Sequence, residues 1–195
     1  MSIRKILTFP DPQLREISKE VTHFNSDLKE LVSDMIETMY DSNGIGLAAP
    51  QVGILQRVVV IDTRPKDDKG ARYKYEEMTE LEEQISQPIV LINPKVLKGE
   101  GKTTYEEGCL SVPGFYETVQ RHNWIEVSSM DLDGNEFRFQ TDGLLAICVQ
   151  HEMDHLVGKL FIDRLSFIKS SKIKNQIAKS GYPPRKKEDK SHKGL

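Results

Sequence analysis

Hydrophobic positions recur at helical spacing first between residues 28 and 40. Leu28, Leu31, Val32, Met35, Ile36, Met39 and Tyr40 share one face, while Asp27, Lys29, Glu30, Asp34 and Glu37 fall largely outside it. Asn25 or Ser26 can cap the start, and Gly44 stands just past the end, where a left-handed residue is useful. The arm before it, residues 1–24, is broken by Pro10 and Pro12 and reads as irregular. Residues 57–62 (Arg-Val-Val-Val-Ile-Asp) and 89–93 are short β-branched runs that predict buried strands. Residues 124–131 and 136–140 flank Asp133-Gly134, a dipeptide suited to a hairpin turn.

The last strong pattern runs from 143 to about 164. It is apolar nearly all round in its first half, so the helix it predicts belongs in the middle of a domain, with Thr141 or Asp142 as cap. Strands followed by a late helix predict an α+β fold, with antiparallel or mixed sheets packed around that buried helix.

Length and composition narrow this picture. A chain of 195 residues suits one domain with a sizeable core. We place that domain at 1–165, with a charged surface insertion at 64–88 that carries no catalytic residue and a short helix near Met78 to Gln84. Residues 166–195 form a basic carboxy-terminal helix and tail with a disordered end. The formal charge of −3 argues against sequence-specific nucleic-acid binding. No apolar run is long enough to span a bilayer, and the first nine residues are too short for a secretory core, so the expected location is the cytoplasm. In that reducing compartment the two cysteines, Cys109 and Cys148, suit metal binding or burial better than a disulfide. From Arg164 onward ten lysines and arginines are opposed only by Glu188 and Asp189. Such a tail either solubilises the chain or offers a basic patch to an RNA-rich partner.

The sharpest chemistry lies inside the late helix, in His151-Glu152-Met153-Asp154-His155. Histidines four apart stand about 6 Å from one another on one face, so both imidazoles can meet one metal ion. Glu152, roughly 100° round the helix, reaches a water beside the metal instead of the metal itself. A catalytic site wants a third protein ligand and one open position. The only glutamate after Glu152 is Glu188, in the tail, and Phe161 stands where a metzincin would have histidine. Cys148 lies about 10.5 Å along the helix from His155, too far for a short thiol. Cys109, in Glu106-Glu107-Gly108-Cys109-Leu110-Ser111-Val112-Pro113, remains. A Cys-His-His set suits zinc or ferrous iron. A metallopeptidase shares the helix motif but lacks its usual downstream ligand, and a structural metal site normally has four protein ligands.

Gly44-Ile45-Gly46-Leu47-Ala48-Ala49-Pro50-Gln51, Glu107-Gly108-Cys109-Leu110-Ser111 and Gln150-His151-Glu152-Met153-Asp154-His155 occur in that order. Together they resemble the three signature motifs of bacterial-type peptide deformylase, with similarity from about Phe9 to Leu165. The chain departs from the usual pattern in its longer 64–88 segment and in Tyr116, where some bacterial members carry arginine.

The resemblance implies removal of the formyl group from the N-formylmethionyl ends of nascent peptides. The implied cofactor is one divalent ion, Fe2+ natively, replaceable by Zn2+, Ni2+ or Co2+. Cys109, His151 and His155 would hold it. Glu152 would act as general base and then acid towards a metal-activated water, and Gln51 with the Leu110 amide would stabilise the oxyanion. Ile45, Gly46, Tyr105, Leu144, Ile147 and Cys148 would receive the methionine side chain and peptide backbone. Arg121 would pair with Glu107 to hold the cysteine segment. The family's co-translational role makes the ribosome an expected partner for the basic tail.

Overall fold

The computed structural model describes residues 2–67 and 70–183. Its first helix, α1 (Ser26–Asp41), starts where the Asn25 side chain accepts from the Leu28 amide. It ends in a Schellman pair, Asn43 N–H to Tyr40 O and Gly44 N–H to Met39 O. The left-handed residue is Asn43, at φ 56°, and not Gly44 as expected. Gly44 is needed for closeness instead, since a Cβ there would stand 2.8 Å from Leu110 Cδ1. Asp34, expected outside the apolar face, is buried. It accepts from the Ser2 amide and hydroxyl and from Arg4, which ties the amino-terminal arm to the helix.

Five strands form an antiparallel sheet in the order β1 (Gly46–Ala48), β2 (Val58–Ile61), β3 (Ile89–Glu100), β6 (Trp124–Met130) and β7 (Glu136–Thr141). A separate pair, β4 (Thr103–Glu107) and β5 (Glu117–Arg121), is also antiparallel. The β2 run Val-Val-Val-Ile is fully buried because both faces of the sheet are covered. Val58 and Val60 join α1, whereas Val59 and Ile61 join the helix α3 (Gly143–His155) on the other side. Successive strand residues point to opposite faces, so a single uninterrupted apolar run serves two cores. The β6–β7 turn has three residues, Leu132 to Gly134, between Asp131 and Asn135, with Gly134 at φ 85°.

The pattern from 143 to 164 predicted one helix, but α3 stops at His155, and residues 161–164 form a separate 3-10 turn. Gly158 ends any continuation. It has φ 69°, and a Cβ there would strike Arg15 O at 2.3 Å. Asp142 does not cap α3 with its side chain. Glu82, from the insertion's short helix α2 (Glu80–Glu83), does so, accepting the Leu145 amide at 2.8 Å. Its negative charge also suits a helix amino terminus. Glu82 is buried, so the insertion is not simply a solvated surface loop.

A final helix, α4 (Phe167–Ser180), sets Ile173 and Ile177 into a third cluster with Cys109, Val112, Val119, Phe161 and Ile162. The predicted disordered end lies outside the described residues. No described helix is long and apolar enough to cross a membrane.

Candidate metal centre

The α3 backbone carries His151, Glu152 and His155 into the interior, all at most 2% exposed. The loop after β4 brings Cys109 to them. Cys109 Sγ lies 3.3 Å from His155 Nε2, and the ligand atoms of Cys109, His151 and His155 all fall within 4.8 Å of one another. The two imidazole centroids are 5.1 Å apart, as histidines one helical turn apart should be.

His151 has its ring oriented from behind. Its Nδ1 meets Glu107 Oε2 at 2.8 Å, so the carboxylate takes the Nδ1–H and leaves the Nε2 lone pair forward. That Nε2 is buried with no hydrogen-bond partner among the described residues. Glu107 is gripped by the Arg121 fork, at 2.6 Å through Nε and 2.8 Å through the second nitrogen. Arg121 also reaches Asp154 at 2.6 Å, and Asp154 holds Arg164. Burial opposes ionisation of Glu107, but the Arg121 and His151 hydrogen bonds outweigh it and hold the carboxyl below its ordinary range.

Glu152 is the opposite case. It is fully buried, and among the described residues neither carboxylate oxygen has a hydrogen-bond partner. Burial first, and then the charge of Glu107, pushes its pKa well up. Burial and neighbouring His151 likewise push His155 well down, towards the neutral imidazole that a metal requires. The Cys109 thiol is also pushed up by burial, so ionising it calls for a compensating positive charge. One sulfur, one free imidazole nitrogen facing forward and an unpaired buried acid together fit a divalent cation with an open position.

The sequence profile of the family described as Polypeptide deformylase matches residues 3–171. Peptide deformylase of Cellvibrio japonicus is 49% identical over 180 residues, 92% of this chain and 96% of that protein. The Alkalilimnicola ehrlichii protein of the same name is 48% identical over 179 residues, 92% of this chain and 91% of its own. The chain belongs to the polypeptide deformylase family.

Solved deformylase structures agree in fold. That from Legionella pneumophila has TM-score 0.76 at 42% identity, covering 91% of this chain and 95% of its own. The Ehrlichia chaffeensis peptide deformylase in complex with actinonin has TM-score 0.78 at 37% identity, covering 92% and 99%.

Of the other residues expected at a deformylase site, Gln51 stands beside Cys109 and Gly46 beside Glu152. Gln51, fully buried in the 3-10 turn Ala49–Val52, accepts the Ala48 amide through Oε1 at 2.8 Å. Its Nε2 donates to Ser111 Oγ at 3.2 Å and faces Cys109 Sγ at 3.6 Å. Leu110 follows Cys109 and packs over Gly44. Ile45, Ile147 and Cys148 lie in one buried cluster, with Tyr105 and Leu144 packed against it. Gly46 sits on β1, the strand at the sheet edge, pairing with β2 on one side only. Tyr116 lies over Gly108, where a Cβ would come within 2.6 Å of its ring.

Sequence reasoning found the Glu107–Arg121 pair but missed Asp154 and Arg164, which hold Arg121 from the other side. The available signal was an aspartate inside an otherwise buried helix, since such a charge requires a partner. Ser111, which accepts from Gln51 and donates its amide to Cys109 Sγ at 3.4 Å, was also missed.

Gly46 carries a sharp expectation. A Cβ there would stand 2.4 Å from Glu152 Oε1 and 2.8 Å from Cys148 Sγ. Gly46→Ala is therefore expected to displace the acid or the strand and lower kcat/KM about a hundredfold. Steady-state kinetics on a formylated peptide checks this.

Proposed function

We propose that the chain performs the reaction for which its family is named, hydrolysing the formyl group from N-formylmethionyl peptides to give formate and a free amine. The observation that carries this reading is the open Cys109–His151–His155 set beside a buried acid without a partner. Those three residues would hold one divalent ion; a thiolate with two imidazoles accepts Fe2+, Zn2+, Ni2+ or Co2+, and of these the family resemblance favours Fe2+. When bound, such an ion supplies Lewis acidity, lowering the pKa of water and polarising the formyl carbonyl.

The chain's own groups do the remaining work. Glu152, raised in pKa by burial, takes the proton of the attacking water at a carboxylate oxygen and returns it to the departing amine nitrogen. Gln51 Nε2 and the Leu110 amide donate to the oxygen on which charge develops. Ser111 and the Ala48 amide fix the Gln51 side chain, so this donor is preorganised. The free edge of β1 at Gly46 pairs with the peptide backbone. Ile45, Tyr105, Leu144, Ile147 and Cys148 supply apolar walls for an unbranched side chain. Arg121 and Glu107 position His151.

The basic residues that run from Arg164 through α4 and into the tail support a ribosomal contact, and a co-translational role in the cytoplasm follows from that reading. The deciding assay compares formyl-, acetyl- and free-amino versions of one methionyl peptide. Formate released from the first alone, with the peptide bonds intact, is the expected result. Internal cleavage would point to a peptidase instead.

A further inference from the structure

The insertion between β2 and β3 sends one cation back into the fold. Arg72 is only 9% exposed in its side chain. Its guanidinium lies over the Tyr40 ring, 4.8 Å from the centroid. One terminal nitrogen donates to Asp62 O at 2.8 Å and also to Arg64 O, while the other donates to Gly44 O at 3.0 Å. Its Nε stands 3.7 Å from the fully buried Asp62 carboxylate, which is held in turn by Tyr40 and Arg64. Gly44 immediately precedes the Ile45–Gly46 segment. The Asp62 amide donates to Ile45 O at 2.8 Å, so two of the three carbonyls held by the Arg72 fork, those of Gly44 and Asp62, border the β1–β2 pair.

The location matters because, among the described residues, no strand pairs with the outer edge of β1, and its Gly46 stands against Glu152 and Cys148. An edge strand of three residues has few ladder bonds of its own. A rigid planar fork that binds carbonyls at its start is a means of holding it. The insertion is anchored a second time, by Glu82 on the amino terminus of α3. It therefore touches both the backbone that leads into β1 and the helix that carries the acid.

We propose that Arg72 is a positioning residue, through which the insertion braces the Gly44–Gly46 edge in the conformation that receives the peptide backbone. This rests on the deformylase reading above for the peptide, but not for the brace itself. Loss of the brace weakens a pairing made equally in the ground state and the transition state, so it acts on KM and not on kcat. It leaves the Cys109, His151 and His155 ligands untouched.

The test uses the metal-loaded full chain and three variants, Arg72→Ala, Arg72→Lys and Arg64→Ala. Arg64 grips the same Asp62 carboxylate without touching Gly44, so it controls for simple loosening of the polar cluster. Arg72→Ala is expected to raise KM for a formyl-methionyl peptide about tenfold, with kcat within about threefold and metal content unchanged. Amide exchange at Gly46–Ala48 should accelerate with it. Arg72→Lys, a single donor without the fork, should recover part of both effects, and Arg64→Ala should leave KM at the wild-type value. Wild-type KM and exchange in Arg72→Ala would overturn the proposal, as would an equal rise of KM in Arg64→Ala. Should the wild-type chain release no formate, the functional reading fails separately. The exchange of Gly46–Ala48 then decides the brace alone, faster exchange in Arg72→Ala supporting it and unchanged exchange overturning it.

Discussion

Glu152→Gln is expected to abolish nearly all turnover while leaving the metal in place. General acid–base groups contribute about 10²–10⁴-fold, and Glu152 serves in both directions of proton transfer, so kcat should fall about a thousandfold or more. The ligand atoms belong to Cys109, His151 and His155, so metal content should equal that of the wild-type chain. A second readout goes the other way. Neither Glu152 oxygen has a hydrogen-bond partner among the described residues, and its charge is disfavoured there by burial and by Glu107. The neutral amide removes that cost, so metal-free Glu152→Gln should melt no lower than metal-free wild type. Inactive protein with full metal and undiminished stability identifies a group present for chemistry. A loss of metal in parallel with activity would make Glu152 a structural residue.

Arg121→Ala should produce the largest loss of stability. The guanidinium is 1% exposed and lies between Glu107, at 0%, and Asp154, at 9%. Removing one partner of a buried ion cluster leaves charges without compensation and costs about 3–5 kcal/mol. In a chain of this size that lowers Tm by roughly 6–20 °C. Glu107, freed from its fork, no longer orients His151, and metal affinity should drop about 10–100-fold. Thermal unfolding and a metal-binding titration on the same variant check both parts. Wild-type melting and affinity would remove Arg121 from the positioning of the site.

These effects show which parts of the molecule could be read along the chain. The β2 run of four β-branched residues announced a buried strand, and a fully buried strand covered on both faces is what it became. His151, Glu152 and His155 were legible because helical geometry fixes residues one turn apart. Cys109 was legible through the motifs around it, since no local rule joins a loop cysteine to a helix 42 residues later. The strands that flank it, β4 and β5, were missed. Thr-Thr-Tyr-Glu-Glu and Glu-Thr-Val-Gln-Arg offer too few apolar positions for alternation to show.

The helix predicted to reach 164 failed for a different reason. Leu160, Phe161 and Ile162 do enter the core, but Gly158, pressed against Arg15 O, ends the helix before them. Hydrophobic pattern reports burial and cannot see a backbone contact with a residue 143 positions away. The charges of Arg72 and Glu82 looked solvated for the same reason. Their partners, Gly44 O and the Leu145 amide, are main-chain groups that composition does not display.

X-ray absorption at the metal edge of the anaerobically purified chain addresses the central assignment most directly. One sulfur at about 2.3 Å and two imidazole nitrogens at about 2.0–2.1 Å, with at least one further light atom, is the expected coordination for zinc-loaded protein. The sulfur should vanish in Cys109→Ser and persist in Cys148→Ser. A first shell of nitrogen and oxygen alone in the wild-type chain would contradict the account.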